Sequence, residues 1–159
     1  MKLAVKWEVG KNSSNGRTSQ NGTRSRLELN PIIRHETPRG IYNILVVDDD
    51  PNLMRLMATI LRTSGMEVLT ATDGYAALDV AMSKDVDAIV LDLRMPNLDG
   101  RGFFRELRAR GVETPVLIAS AFGAREAQQE LGAQGSIEKP FDPEMLIAEL
   151  ERILEEDRA

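Results

Sequence analysis

Cysteine is absent from this chain, and histidine occurs once, as His35. The first absence excludes disulfides and thiolate metal sites. The second leaves no basis within one chain for a His-based zinc site or a Ser-His-Asp triad, because His35 stands alone in a polar stretch. No apolar run approaches the roughly 18 residues that a membrane span needs. The N-terminus also lacks the continuous apolar core of a secretory signal, so a cytoplasmic location is expected. What is present suits one soluble domain: 159 residues, 42% apolar and 28% charged. That length can bury a sizeable core.

The net charge of −5 is unevenly spread. Residues 1–40 carry eight Lys/Arg against three Asp/Glu, and residues 41–159 carry twelve against twenty-two. Residues 11–26 contain no apolar side chain. Such a stretch cannot bury enough surface to offset its ordering entropy. Residues 1–40 are therefore expected to form a disordered basic extension ending at Pro38-Arg39-Gly40. It reads as a solvated tail, or as sequence upstream of the true start. A weak anchor for nucleic acid or acidic lipid is the competing reading. The acidic remainder is a poor match for a phosphate backbone, so no nucleic-acid or membrane partner is expected.

From Ile41 onward, strand-like and helix-like patterns alternate. Ile44–Val47 is a short β-branched apolar run, and Asp50-Pro51 then caps and opens a helix. Leu53, Leu56, Met57, Ile60 and Leu61 form its apolar stripe, and Gly65 stops it. A second strand is expected at Met66–Ala71. A helix from Asp73 to about Lys84 follows, with Ala77, Leu78, Ala81 and Met82 inward. Ala88–Leu91 is the third strand, Pro96–Gly100 a loop, and Arg101–Arg110 a helix burying Phe103, Phe104 and Leu107. Pro115–Ala119 is the fourth strand, Gly123–Leu131 a short polar helix, and Ser136–Glu138 the fifth strand. Asp142-Pro143 opens a last helix with Met145, Leu146, Leu150, Ile153 and Leu154 inward. Five βα units with short loops predict a doubly wound α/β fold with a parallel sheet. The flavodoxin-like strand order 2-1-3-4-5 is expected.

That order carries chemical weight. Ligands bind at the carboxyl edge of such sheets. Asp48 and Asp49 follow the first strand, Asp92 follows the third, Ser120 ends the fourth, and Lys139 follows the fifth. Three carboxylates in one cleft repel one another and raise their pKa values. A divalent cation removes that penalty, and Mg²⁺ prefers oxygen donors. One carboxylate can then act as a nucleophile toward phosphorus. An ammonium and a hydroxyl, supplied by Lys139 and Ser120, are suited to the charge of phosphoryl transfer.

Four motifs, in order and at fitting spacing, carry a resemblance. They are Ile44-Leu45-Val46-Val47-Asp48-Asp49-Asp50-Pro51, Leu91-Asp92-Leu93-Arg94-Met95-Pro96-Asn97-Leu98-Asp99-Gly100, Pro115-Val116-Leu117-Ile118-Ala119-Ser120-Ala121 and Glu138-Lys139-Pro140-Phe141. The sequence over about residues 41–157 resembles the receiver domains of two-component response regulators. The resemblance implies that Asp92 is the phosphoacceptor, Asp49 a direct Mg²⁺ ligand and Asp48 its partner through water. It implies the backbone carbonyl of Arg94 as a further ligand, with Ser120 and Lys139 pairing with the phosphoryl group. A cis Lys139-Pro140 bond is implied as well. The donor would be a histidine kinase or a histidine phosphotransfer protein, and the downstream target a protein not named by the sequence. The receiver itself would catalyse both its acylation and its hydrolysis. A homodimer that depends on phosphorylation is left open.

Two departures from the family stand out. The stretch from Ser120 to Lys139 is about three residues short, nearly one helical turn. The position three before the lysine, usually Tyr or Phe, is Ser136. Output through another surface, such as the first helix or a reshaped fourth helix, is therefore expected. Arg94 and Phe122 stand at positions that flank the path of the hydrolytic water in the family, and their bulk predicts a long-lived acyl phosphate. With the last helix ending near Glu156, a stand-alone signalling module is expected. A phosphorylation-independent interaction module is the alternative. A haloacid-dehalogenase-like hydrolase is disfavoured, because Leu93 and Arg94 follow Asp92 and the Asp-x-Asp pattern is missing.

Overall fold

The computed structural model describes residues 40–159, so the extension expected over residues 1–40 lies, but for Gly40, outside the described residues. Five strands and five helices alternate: β1 (Asn43–Val47), α1 (Pro51–Thr63), β2 (Glu67–Ala71), α2 (Gly74–Ser83), β3 (Ala88–Leu91), α3 (Gly100–Ala109), β4 (Val116–Ser120), α4 (Ala124–Leu131), β5 (Gly135–Glu138) and α5 (Pro143–Arg158). The strands are all parallel, in the expected order 2-1-3-4-5.

Side-chain alternation along the strands builds two cores. Ile44 and Val46 of β1, with Ala88 and Val90 of β3, face α1 and α5, where Met57, Leu61, Leu146, Leu150 and Ile153 meet them. Leu45 and Val47, with Ile89 and Leu91, face the other way onto Ala77, Leu78, Phe103, Phe104 and Leu107. Covering both faces is why these strands are continuous apolar runs rather than alternating ones. Each fully buried Leu or Ile contributes roughly 1.5–3 kcal/mol over its exposed state.

Three helix starts carry side-chain caps, while α5 opens on Pro143 without a side-chain cap bond from Asp142. The Asp50 side chain accepts hydrogen bonds from Asn52 N and Leu53 N at the start of α1. Asp73 accepts from Ala76 N at the start of α2, and Asp99 from Gly102 N at the start of α3. Short α4 lacks a side-chain cap, and left-handed glycines, Gly123 and Gly132, bound it at both ends.

Two residues expected inward, Met82 and Met145, are exposed, and so is Leu56 of the α1 stripe. Leu56, Met82 and Met145 are 55%, 50% and 51% exposed. Each adjoins a buried or half-buried neighbour (Met57, Ala81, Leu146) about 100° away around its helix, and so falls off the edge of the packed stripe. Strand and helix ends differ from expectation by a residue or so: β2 starts at Glu67, β4 at Val116, β5 at Gly135 and α3 at Gly100.

Candidate functional site

Register decides which acids meet. Val47 of β1 is paired with Leu91 of β3, so the next residue of each strand, Asp48 and Asp92, lies at the same sheet edge. Asp92 N donates to Val47 O (2.9 Å), which ties the two strand ends together. On the other side Ser120 pairs with Glu138, and Lys139 N donates to Ser120 O (3.0 Å). Carboxylate oxygens of Asp48, Asp49 and Asp92 thus all lie within 4.8 Å of one another, and Ser120 and Lys139 stand at the same sheet edge.

Lys139 is bonded chiefly to Asp48. Its Nζ donates to Asp48 Oδ2 at 2.6 Å and stands 3.4 Å from Asp92 Oδ1. The other Asp48 oxygen accepts from Asp50 N at 2.8 Å. Asp48 is therefore buried and doubly bonded, Asp92 is nearly buried, and Asp49 is exposed. Burial pushes the Asp92 carboxyl above its ordinary range, and Asp48 adds to this, while Lys139 opposes it. The Ser120 hydroxyl is buried and donates to Phe122 O (3.2 Å). The Lys139-Pro140 bond is cis, as expected.

The donor set fits a hard divalent cation. Three carboxylates and nearby backbone carbonyls offer oxygen only, the ligand chemistry Mg²⁺ selects. A single lysine leaves the cluster net negative.

Beside the acids an opening is lined by Asp49, Leu93, Arg94, Met95, Pro96, Asp99, Arg101, Ser120 and Phe122. Arg94 lies over the Phe122 ring, 5.4 Å from its centroid. Phe122 is 71% exposed, so the pair stands at the mouth rather than in the core. Backbone packing fixes the floor. A Cβ on Gly100 would stand 2.2 Å from Asp92 O and 2.8 Å from Leu93 Cα, so α3 starts directly against the strand end that carries Asp92.

Two features went unread in the sequence. The Lys139–Asp48 pair joins residues 91 positions apart, which no local pattern reveals. Arg101 also lines the opening, and its position directly after Asp99-Gly100 was the available signal. The expected short fourth helix is found, at 8 residues. Ser136 Oγ donates to Gln128 Oε1 on that helix (2.6 Å).

An acid cluster with a half-buried lysine at the carboxyl edge of a 2-1-3-4-5 parallel sheet is the arrangement expected of a receiver domain. The family model of the response regulator receiver domain matches residues 44–151, and the chain belongs to that family. It is 42% identical over 114 residues to the transcriptional regulatory protein PrrA of Mycobacterium tuberculosis, covering 70% of this chain and 49% of that protein. It is 40% identical over 114 residues to the probable transcriptional regulator ycf27 of Cyanophora paradoxa, covering 70% and 47%. The chain thus spans about half the length of these curated relatives. Among solved structures, the chemotaxis protein CheY4 of Vibrio cholerae superposes with a TM-score of 0.66 at 31% identity, over 71% of this chain and 98% of that one. The receiver domain of the Francisella response regulator 1452 superposes with a TM-score of 0.69 at 30% identity, over 73% and 98%. The domain is a signalling receiver. Among its described residues no helix is long and apolar enough to cross a membrane.

Proposed function

We propose that residues 41–159 form a Mg²⁺-dependent phosphoacceptor domain in which Asp92 takes a phosphoryl group from a histidine kinase or histidine phosphotransfer protein. The observation that carries this reading is the convergence of Asp48, Asp49 and Asp92 within 4.8 Å, with Lys139 among them.

Asp92 is the nucleophile in this reading. A carboxylate oxygen attacks phosphorus, an acyl phosphate bond forms, and the bond from phosphorus to the donor nitrogen breaks. The electron pair stays with the donor imidazole, which then takes a proton from solvent. Asp48, Asp49, Asp92 and the Arg94 carbonyl would hold Mg²⁺. When bound, that ion offsets charge on the phosphoryl oxygens. Lys139, already 3.4 Å from Asp92 Oδ1, supplies a second cation to the same oxygens. The Ser120 hydroxyl turns from Phe122 O to the phosphoryl group and donates there. The domain catalyses its own acylation and hydrolysis and transforms no other substrate.

Signalling then runs by protein–protein contact, in the cytoplasm. Exposed Leu56 supports this: with Leu53, Ile60, Phe141 and Pro143 it lines an apolar groove that also reaches Lys139. An exposed apolar patch beside a reactive site is what a docking partner buries.

Intact-mass analysis after treatment with acetyl phosphate tests the reading. One phosphoryl adduct is expected, dependent on Mg²⁺ and absent from Asp92→Asn. A folded protein that binds Mg²⁺ but gains no adduct from acetyl phosphate or from any histidine donor would sink it.

A further inference from the structure

Arg101 lines the opening beside the acid cluster and holds Glu130 on its other side. On one side it lines the opening that Asp49 and Ser120 also line, and its neighbour Gly100 packs against the Asp92 backbone. On the other side its Nε donates to Glu130 Oε2 of α4 at 3.2 Å. Arg105, one turn further along α3, donates to the other oxygen of the same carboxylate at 2.9 Å. Glu130 is thus the shared anion of two arginines. The opposite flank of α4 is fixed by Gln128, which accepts from Ser136 of β5. This short helix, without a side-chain cap, therefore sits between a charge-dependent tether to α3 and a neutral one to β5.

We propose that Arg101 is a phosphoryl-binding residue that exchanges Glu130 for the phosphoryl group on Asp92, and that this exchange reports the state of Asp92 to α4. The proposal rests on the reading of Asp92 as phosphoacceptor. The existing pair is weak, because the Arg101 and Glu130 side chains are 37% and 47% exposed and solvent screens them. A phosphoryl group brings nearly two negative charges and three acceptor oxygens. A guanidinium matches it with two parallel hydrogen bonds, which exposed Glu130 does not outcompete. Arg105 keeps Glu130 when Arg101 leaves, so α4 shifts along α3 toward the second turn rather than detaching. Ser136 cannot act as an inward-swinging aromatic, and an electrostatic route needs none.

Binding is reciprocal: if a ligand on Asp92 weakens the Arg101–Glu130 pair, breaking the pair must strengthen that ligand's binding by the same factor. Beryllofluoride with Mg²⁺ is the probe, titrated calorimetrically into the whole chain, with hydrogen exchange of residues 124–131 measured alongside. Glu130→Gln is expected to bind about threefold more tightly than wild type. Arg101→Gln is expected to bind about tenfold more weakly. Arg101→Lys should recover part of the loss. In the Arg101→Gln background, Glu130→Gln should have no effect, which a merely structural role would not produce. Exchange over residues 124–131 should rise on binding in wild type and stay unchanged in Arg101→Gln. Equal affinities in all variants, or an α4 response that survives Arg101→Gln, overturns the exchange alone. Failure of wild type to bind, or binding that persists in Asp92→Asn, overturns the phosphoacceptor reading and this proposal with it.

Discussion

The ammonium of Lys139 is 2.6 Å from Asp48 Oδ2, closer than its 3.4 Å separation from Asp92 Oδ1. Asp48 is buried, and its other oxygen is already used by Asp50 N. Lys139 therefore holds a charge that would otherwise be stranded, while remaining near enough to Asp92 to move onto a new anion there. Removing the partner of a buried charge costs roughly 3 kcal/mol or more. Lys139→Met is expected to lose about that much in metal-free denaturant unfolding. Mg²⁺ should restore part of the loss and stabilise the variant more than wild type, since it supplies the missing positive charge. A metal-free loss within error of zero would refute the arrangement.

Asp92 makes a prediction of opposite sign. Burial first, and then Asp48, raise its pKa above the ordinary 3.8 in spite of Lys139. The folded protein therefore tolerates the charged form less well than the unfolded chain does. The stability tied to this group is full below pH 3.8 and is lost as pH rises through the elevated pKa. Metal-free Asp92→Asn, with no charge to bury, should be the more stable protein at neutral pH. The advantage should shrink as pH falls and wild-type Asp92 becomes neutral. Urea unfolding of both proteins between acid and neutral pH checks the trend. An advantage that grows on acidification would reverse the sign and defeat the argument.

Gly100 and Gly111 separate two reasons for glycine. An added Cβ at Gly100 would stand 2.2 Å from the backbone oxygen of Asp92, and backbone cannot yield as a side chain can. Gly111 has open space around it but a φ of +77°. Gly100→Ala is expected to cost about 3 kcal/mol, at the upper end of overpacking. It should also weaken phosphorylation, because α3 must back away from the Asp92 strand. Gly111→Ala should cost about 1 kcal/mol, the strain of a left-handed alanine, and leave phosphorylation intact. Equal costs at the two positions would remove the distinction.

The sheet was legible because both its faces are covered. Runs such as Val46-Val47 and Ile89-Val90-Leu91 had to be interior strands, and each ended in a charged or polar residue. Strand order then followed from topology, and with it the meeting of Asp48, Asp49, Asp92, Ser120 and Lys139. Leu56 and Met145 are exposed because a helical stripe seen in sequence does not show how wide a neighbour covers it. Pairing inside the site was hidden for a different reason. Whether Lys139 meets Asp48 or Asp92 depends on a fraction of an ångström between residues on three strands, and spacing does not encode that. The double grip of Arg101 and Arg105 on Glu130 likewise depends on where a short helix settles after the chain has closed.

Arg94 and Phe122 give the last prediction. The Arg94 guanidinium lies 5.4 Å from the centroid of the Phe122 ring, and both residues line the opening beside the acids. Hydrolysis of an acyl phosphate requires a water in line with the bond to the Asp92 oxygen. A cation stacked on a ring blocks approach by bulk and offers that water no base. Arg94→Asn with Phe122→Glu removes the bulk and adds a carboxylate able to accept a proton from water. Phosphorylated protein, freed of acetyl phosphate and followed by intact mass, should lose its adduct about tenfold faster in this double variant. That factor corresponds to about 1.4 kcal/mol in the barrier. Each single variant should fall between wild type and the double. If the double variant holds its phosphoryl group as long as wild type or longer, the Arg94–Phe122 pair does not limit access of water to the site.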